Sequence, residues 1–170
     1  GFGMRLHKFI FPLFQNSAPN RKRLVRAACL LHDVSWRAHP DFRAEVCFEY
    51  ATRANLGGLS HKERVFLGLA LLHRYSNKRD GTRFEKLFSL LNDDGQRDAE
   101  VLGKAMRLGA MLWANPGDET AKLNWSPKKK NLSLTLTAEA SPLYGEVAEL
   151  RLYALAQALE ATVHVDMKLT

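Results

Sequence analysis

The hydrophobic pattern of this chain changes texture near residues 115 to 120, and that change constrains the fold more than any other feature. Upstream of Pro116 the apolar residues recur with helical spacing. Downstream, "LSLTLT" (Leu132 to Thr137) alternates strictly, which marks a half-buried strand. "AKLNW" ahead of "SPKKK" reads as its hairpin partner. "YGEVAELRLYALAQALE" returns to helical spacing through Ala148, Leu152, Leu155, Ala156 and Leu159, and "ATVHVDMKL" alternates again. The expected fold is therefore mainly α, a helical domain over 1–116 followed by a small β-β-α-β module of α+β type over 117–170.

The helical part can be read segment by segment. "RKRLVRAACLLHDV" puts Leu24, Ala27, Ala28 and Leu31 on one face. "PDFRAEVCFEYATRA" starts a second helix behind a proline suited to a first turn, and Asn55, Gly57 and Gly58 end it. Ser60 and Glu63 have the spacing of a capping box. Phe66, Leu69, Ala70 and His73 form one stripe of the helix that follows. Phe84, Leu87, Phe88 and Leu91 repeat the pattern, and a long helix is expected from Gln96 to Ala114.

Composition narrows the class. With 46% hydrophobic and 25% charged residues, the chain has the make-up of a folded globular protein. No run approaches the roughly 20 apolar residues of a membrane span, and the short apolar opening has no cleavage site behind it. Cys29 and Cys47 lie inside helical patterns and read as small core residues in a reducing cytoplasm. Gly1-Phe2-Gly3 ahead of Met4 reads as an added scar or a cut through a longer chain. The formal net charge of +7 favours anionic partners.

Several residues could carry chemistry. His32 and Asp33 are adjacent in an apolar run, and with His7, His39 and His73 they could supply the imidazole and carboxylate donors of a divalent metal site. The blander reading is a hydrogen-bonded structural pair. His61 and His164 are incidental, and Trp36, Phe66 and Trp113 read as core aromatics. Arg21, Lys22, Arg23 and Arg26 form one basic group, Lys78, Arg79 and Arg83 a second, and Lys128, Lys129 and Lys130 a third. Arg37, Arg43, His73 and Arg74 stand near the His-Asp segment, where fork-shaped guanidiniums can hold phosphate oxygens bidentately. No phosphate-cradling glycine loop and no Ser-His-Asp or Cys-His grouping is present.

"RAACLLHDVSWRAHPDFRAE" (Arg26 to Glu45) closely resembles the C-terminal region of the exopolyphosphatase and guanosine pentaphosphate phosphohydrolase (Ppx/GppA) family. "LGGLSHKERVFLGLALLHRYSN", "RLGAMLWANPG" and the closing "LYGEVAELRLYALAQALEATV" fit the same region. The resemblance implies an HD-like helical domain with a small terminal module, in a larger cytoplasmic protein. There the N-terminal actin-like domains of the same chain would hydrolyse the terminal phosphate of polyphosphate, with guanosine pentaphosphate as the second candidate substrate and a divalent metal such as magnesium as the cofactor.

On this reading no residue here is catalytic and no cofactor is expected in these residues. The portion would bind polyphosphate through Arg37, Arg43, His73, Arg74, Arg21, Arg23 and Arg26, and would support a homodimer. Ala110 stands where HD relatives carry a metal-binding Asp, and Pro40-Asp41 follows His39 where relatives tend to have a further His. His32 and Asp33 are thus expected to be a degenerate, empty metal site. An active metal-dependent phosphohydrolase acting on nucleotides is the alternative, and a purely structural dimerisation module is a third.

Overall fold

The computed structural model describes residues 1–33, 43–53, 57–76, 85–113 and 120–168, with the backbone alone for 43–47. Helix α1 (Phe2–Ile10) buries Leu6, Phe9 and Ile10 and runs into a 3-10 turn, Phe11–Phe14. Helix α2 (Pro19–Leu30) opens on a proline, whose missing N–H costs nothing in a first turn, and buries Leu24, Val25, Ala28 and Cys29. Burial pushes the Cys29 thiol up to about 12, the behaviour of an inert core cysteine. Cys47 lies in helix α3 (Arg43–Arg53), where its side chain is outside the described residues.

Helix α4 (His61–Tyr75) is the axis of the domain. Its first turn is closed by the expected capping box: the Glu63 amide donates to Ser60 Oγ at 3.2 Å, and the Ser60 amide donates to Glu63 Oε1 at 2.8 Å. Every residue from Val65 to His73 is buried, because α3 packs on one side and helix α6 (Asp93–Gly109) on the other. The α4–α6 contact is closest at Gly103. A Cβ there would stand 2.4 Å from both the Ala70 carbonyl oxygen and His73 Cβ, so only glycine fits. The one-turn helix α5 (Glu85–Phe88) adds Phe88, whose ring meets Phe48 edge-on at 6.3 Å.

Two helix ends differ from the sequence expectation. Helix α6 starts earlier, because Asn92 Oδ1 accepts from the Gly95 amide at 2.7 Å and lets Asp93 and Asp94 form the first turn. It stops at Gly109 rather than Ala114. Met111 and Leu112 bond three residues back, to Leu108 and Gly109, and that tightening ends the α-helical ladder. Helix α2 stops at Leu30, so His32 lies in the turn beyond it and not on the helical stripe.

The tail is β-β-α-β as expected. Strand β1 (Ala121–Ser126) pairs antiparallel with β2 (Asn131–Leu136), with Leu123 opposite Leu134. Helix α7 (Glu146–Leu159) then carries the chain over to β3 (Thr162–Met167), which pairs parallel with β2. Leu132, Leu134 and Leu136 are fully buried on one face of the sheet. They join a single hydrophobic cluster that extends from Leu6 to Leu159 through all the helices. Thr120 ties the two halves, its buried hydroxyl donating to the Leu112 carbonyl at 2.7 Å. The expected division at 116/117 falls outside the described residues.

Candidate functional site

Residues 1–32 contain six basic residues (Arg5, Lys8, Arg21, Lys22, Arg23 and Arg26) and no Asp or Glu. These residues make α1 and α2, which pack together as a layer against α4 and α6. The layer must find its counter-charges on other elements, and two arginines do so. The Arg21 guanidinium lies over the Phe66 ring, 4.2 Å from its centroid, and its Nε is 3.2 Å from Asp98 Oδ2 on α6. Arg23 Nη2 donates at 2.8 Å to Glu63 Oε2 on α4 and also to Asn20 Oδ1.

The two carboxylates are poised differently. Glu63 is held below its ordinary value, chiefly by the Ser60 amide and then by the Asn20 side chain. Burial lifts the Asp98 carboxyl above its ordinary value despite Arg21 beside it. Arg21, Glu63, Phe66, Asn92 and Asp98 line a cavity of about 530 Å³ where α2, α4 and α6 all begin. Within it the charges are already matched.

Lys22 and Arg26 are placed otherwise. They lie one turn apart on α2, beyond the reach of those carboxylates, and no carboxylate among the described residues pairs with either. Lys22 Nζ stands 5.8 Å over the Phe11 ring, which in turn meets the His7 ring edge-on at 5.9 Å. Arg26 is exposed, and its charge adds to burial in holding the His7 imidazole below its ordinary value. The result is an open ionic face formed by His7, Phe11, Lys22 and Arg26.

The His-Asp pair sits apart from that face. His32 is half-buried, with its ring edge-on to Phe2 at 5.2 Å, while Asp33 is exposed. The Tyr75 hydroxyl donates to the His32 carbonyl at 2.5 Å. Burial lowers the imidazole pKa, with Asp33 opposing and Arg74 lowering it further. A neutral imidazole beside a carboxylate has the right donor chemistry for a metal. Among the described residues no group of three His, Cys, Asp or Glu side chains gathers. His39 and Arg37 lie outside the described residues, and Arg43 is described by its backbone alone in α3.

His73 and Arg74, adjacent in sequence, end up in different environments. His73 is 3% exposed under Gly103, out of reach of a polyanion. The Arg74 guanidinium lies 4.5 Å over the Tyr75 ring and acts electrostatically on Arg151, which the sequence reading missed. Arg151 Nη1 donates to the Arg107 carbonyl at 3.1 Å and to Met111 Sδ at 3.3 Å. Burial lowers the pKa of both Arg107 and Arg151, and for Arg151 the charges of Arg107 and Arg74 lower it further. Arg151 stands in the middle of "AELRLYALAQ", and a charge set in so apolar a run was the one available signal.

These features define a basic, mainly helical domain with a β-β-α-β appendage and cations gathered on two separate faces. A family model described as exopolyphosphatase, C-terminal, matches residues 11–164, and the chain belongs to that family. Among curated proteins no sequence matches it. No helix among the described residues is long and apolar enough to cross a membrane.

Proposed function

We propose that these residues form the accessory, polyphosphate-binding part of an exopolyphosphatase, and that the contact is made by the α1–α2 face through Lys22 and Arg26. The observation that carries this reading is the charge imbalance of the first 32 residues: six cations and no carboxylate, with Arg21 and Arg23 held by carboxylates of α6 and α4 while no carboxylate among the described residues pairs with Lys22 or Arg26. Polyphosphate is a flexible, wholly ionic chain with no apolar surface. An open cationic face suits it better than a closed pocket, because binding is driven by release of condensed counterions rather than by fitted contacts. In this reading cleavage of the phosphate anhydride belongs to the actin-like domains of the parent enzyme.

The test is titration with long-chain polyphosphate at two salt concentrations, with a divalent metal present and then chelated. Salt-sensitive, metal-independent binding without phosphate release is expected. The charge-reversed pair Lys22→Glu and Arg26→Glu, on an exposed face, should bind more weakly. Its plot of log affinity against log salt should be shallower, by roughly 0.7 for each cation lost from the contact. Metal-dependent phosphate release would instead favour the phosphohydrolase reading through His32 and Asp33.

A further inference from the structure

Helix α7 has two packing faces. Ala148, Leu152, Leu155, Ala156 and Leu159 are buried against the core. Val147, Leu150 and Ala154, spaced i, i+3 and i+7, instead line an open groove of about 220 Å³ whose opposite wall is Lys104 and Arg107 of α6. Val147 is 54% exposed and Leu150 is 63% exposed, the most of any large hydrophobic side chain among the described residues. A stripe of this spacing is the face that one helix offers to another. On a free surface such a contiguous apolar patch marks an interaction site.

The groove is also short of negative charge. Arg151, at i+4 of the same stripe, donates only to neutral acceptors in the bonds described above. Arg107 Nε is buried, with no hydrogen-bond partner among the described residues. Lys104 is held by Glu100 at 2.7 Å, and among the described residues no carboxylate lines the groove itself. Half-buried guanidiniums without anions are unfavourable unless a partner brings carboxylates, and arginine's planar fork takes them bidentately.

We propose that the α6–α7 groove docks an acidic amphipathic helix of a partner protein, with apolar residues on Val147, Leu150 and Ala154 and carboxylates on Arg107 and Arg151. Two other occupants fit less well. Polyphosphate would satisfy the arginines but leave Val147 and Leu150 in water. A second copy docking the same groove about a twofold axis would bring a second Arg107 and Arg151 into the interface and, from the groove lining described, no carboxylate to meet them. The proposal is independent of the α1–α2 reading, since the two faces share no residue.

The test uses the whole chain and a synthetic peptide of about 18 residues, roughly five helical turns, with Leu at i, i+3, i+4 and i+7 flanked by Glu. A scrambled peptide of the same composition is the control, and binding is read by fluorescence anisotropy. The helical peptide should bind, more weakly as salt rises, and the scrambled one should not. Leu150→Asp and Val147→Asp should each weaken binding about tenfold or more, and the pair Arg107→Gln and Arg151→Gln about fivefold or more. Near-ultraviolet circular dichroism of each variant confirms that the fold is intact.

Equal binding of the scrambled peptide, or unchanged binding by Leu150→Asp, overturns the proposal. So does a wild-type dimer in sedimentation velocity that Leu150→Asp dissociates, which would assign the groove to a second copy. A loss of polyphosphate affinity in the Arg107→Gln and Arg151→Gln pair would assign it to polyphosphate instead. Failure of the α1–α2 reading looks different, because there the Lys22→Glu and Arg26→Glu pair leaves polyphosphate binding unchanged.

Discussion

Arg21 and Asp98 meet with 3.2 Å between Nε and Oδ2, at the mouth of a cavity where three helices begin. Burial raises the Asp98 carboxyl above its ordinary 3.8 even though a guanidinium stands beside it, so desolvation outweighs the pair. An acid whose pKa is higher folded than unfolded stabilises the fold most at low pH. That contribution falls as pH rises from the ordinary value through the raised one. Asp98→Asn should therefore flatten the descent in unfolding free energy across that window. A urea-denaturation series by pH measures it, and an unchanged descent would contradict the account.

Glu63 behaves oppositely. Its carboxylate accepts from the Ser60 amide, from Asn20 and from Arg23, and these hold its pKa below the ordinary 4.5. Its contribution is present above the ordinary value and lost as pH falls through the lowered one. Glu63→Ala should destabilise the protein by about 1–2 kcal/mol at pH 7, the loss of half a capping box and of the Arg23 contact. The difference from wild type should narrow in acid. A difference that stays constant down to pH 3 would be inconsistent with this.

Gly103 allows α4 and α6 their closest approach. Gly103→Ala should cost about 2 kcal/mol or more, because the methyl would meet backbone on α4 that cannot move aside. Gly57→Ala, where a Cβ would meet nothing within 4 Å and the backbone has no positive φ, is the control and should leave the melting temperature nearly unchanged.

Glu160 caps α7 in the left-handed region, at φ 54° and ψ 44°. That conformation is strained for a residue with a Cβ and easy for glycine. Glu160→Gly should stabilise the protein by about 1 kcal/mol in chemical denaturation. Destabilisation would mean that the Glu160 side chain makes a contact of greater value.

What was legible in the sequence was local. The Ser60–Glu63 capping box, the stripe Phe66, Leu69, Ala70 and His73, and the β-β-α-β tail each depend on residues within a few positions of one another. The end of α6 was not legible, because Gly109 meets Leu6 and Phe9 of a distant helix and the turn beyond it is drawn toward Thr120. The same limit applied to charge. Nothing near Arg21 or Arg23 in the chain announces Asp98 or Glu63, so the four cations Arg21, Lys22, Arg23 and Arg26 look alike in sequence while the fold pairs two of them with carboxylates. Arg74, Arg107 and Arg151 come together from three helices, and no spacing rule links them.

Polyphosphate titration of the wild type, of the Lys22→Glu and Arg26→Glu pair, and of the Arg107→Gln and Arg151→Gln pair tests the central claim most directly. The account predicts salt-sensitive binding that the first pair weakens and the second leaves nearly intact, with every variant folded. Binding that survives the first pair at full strength and unchanged salt slope would contradict it.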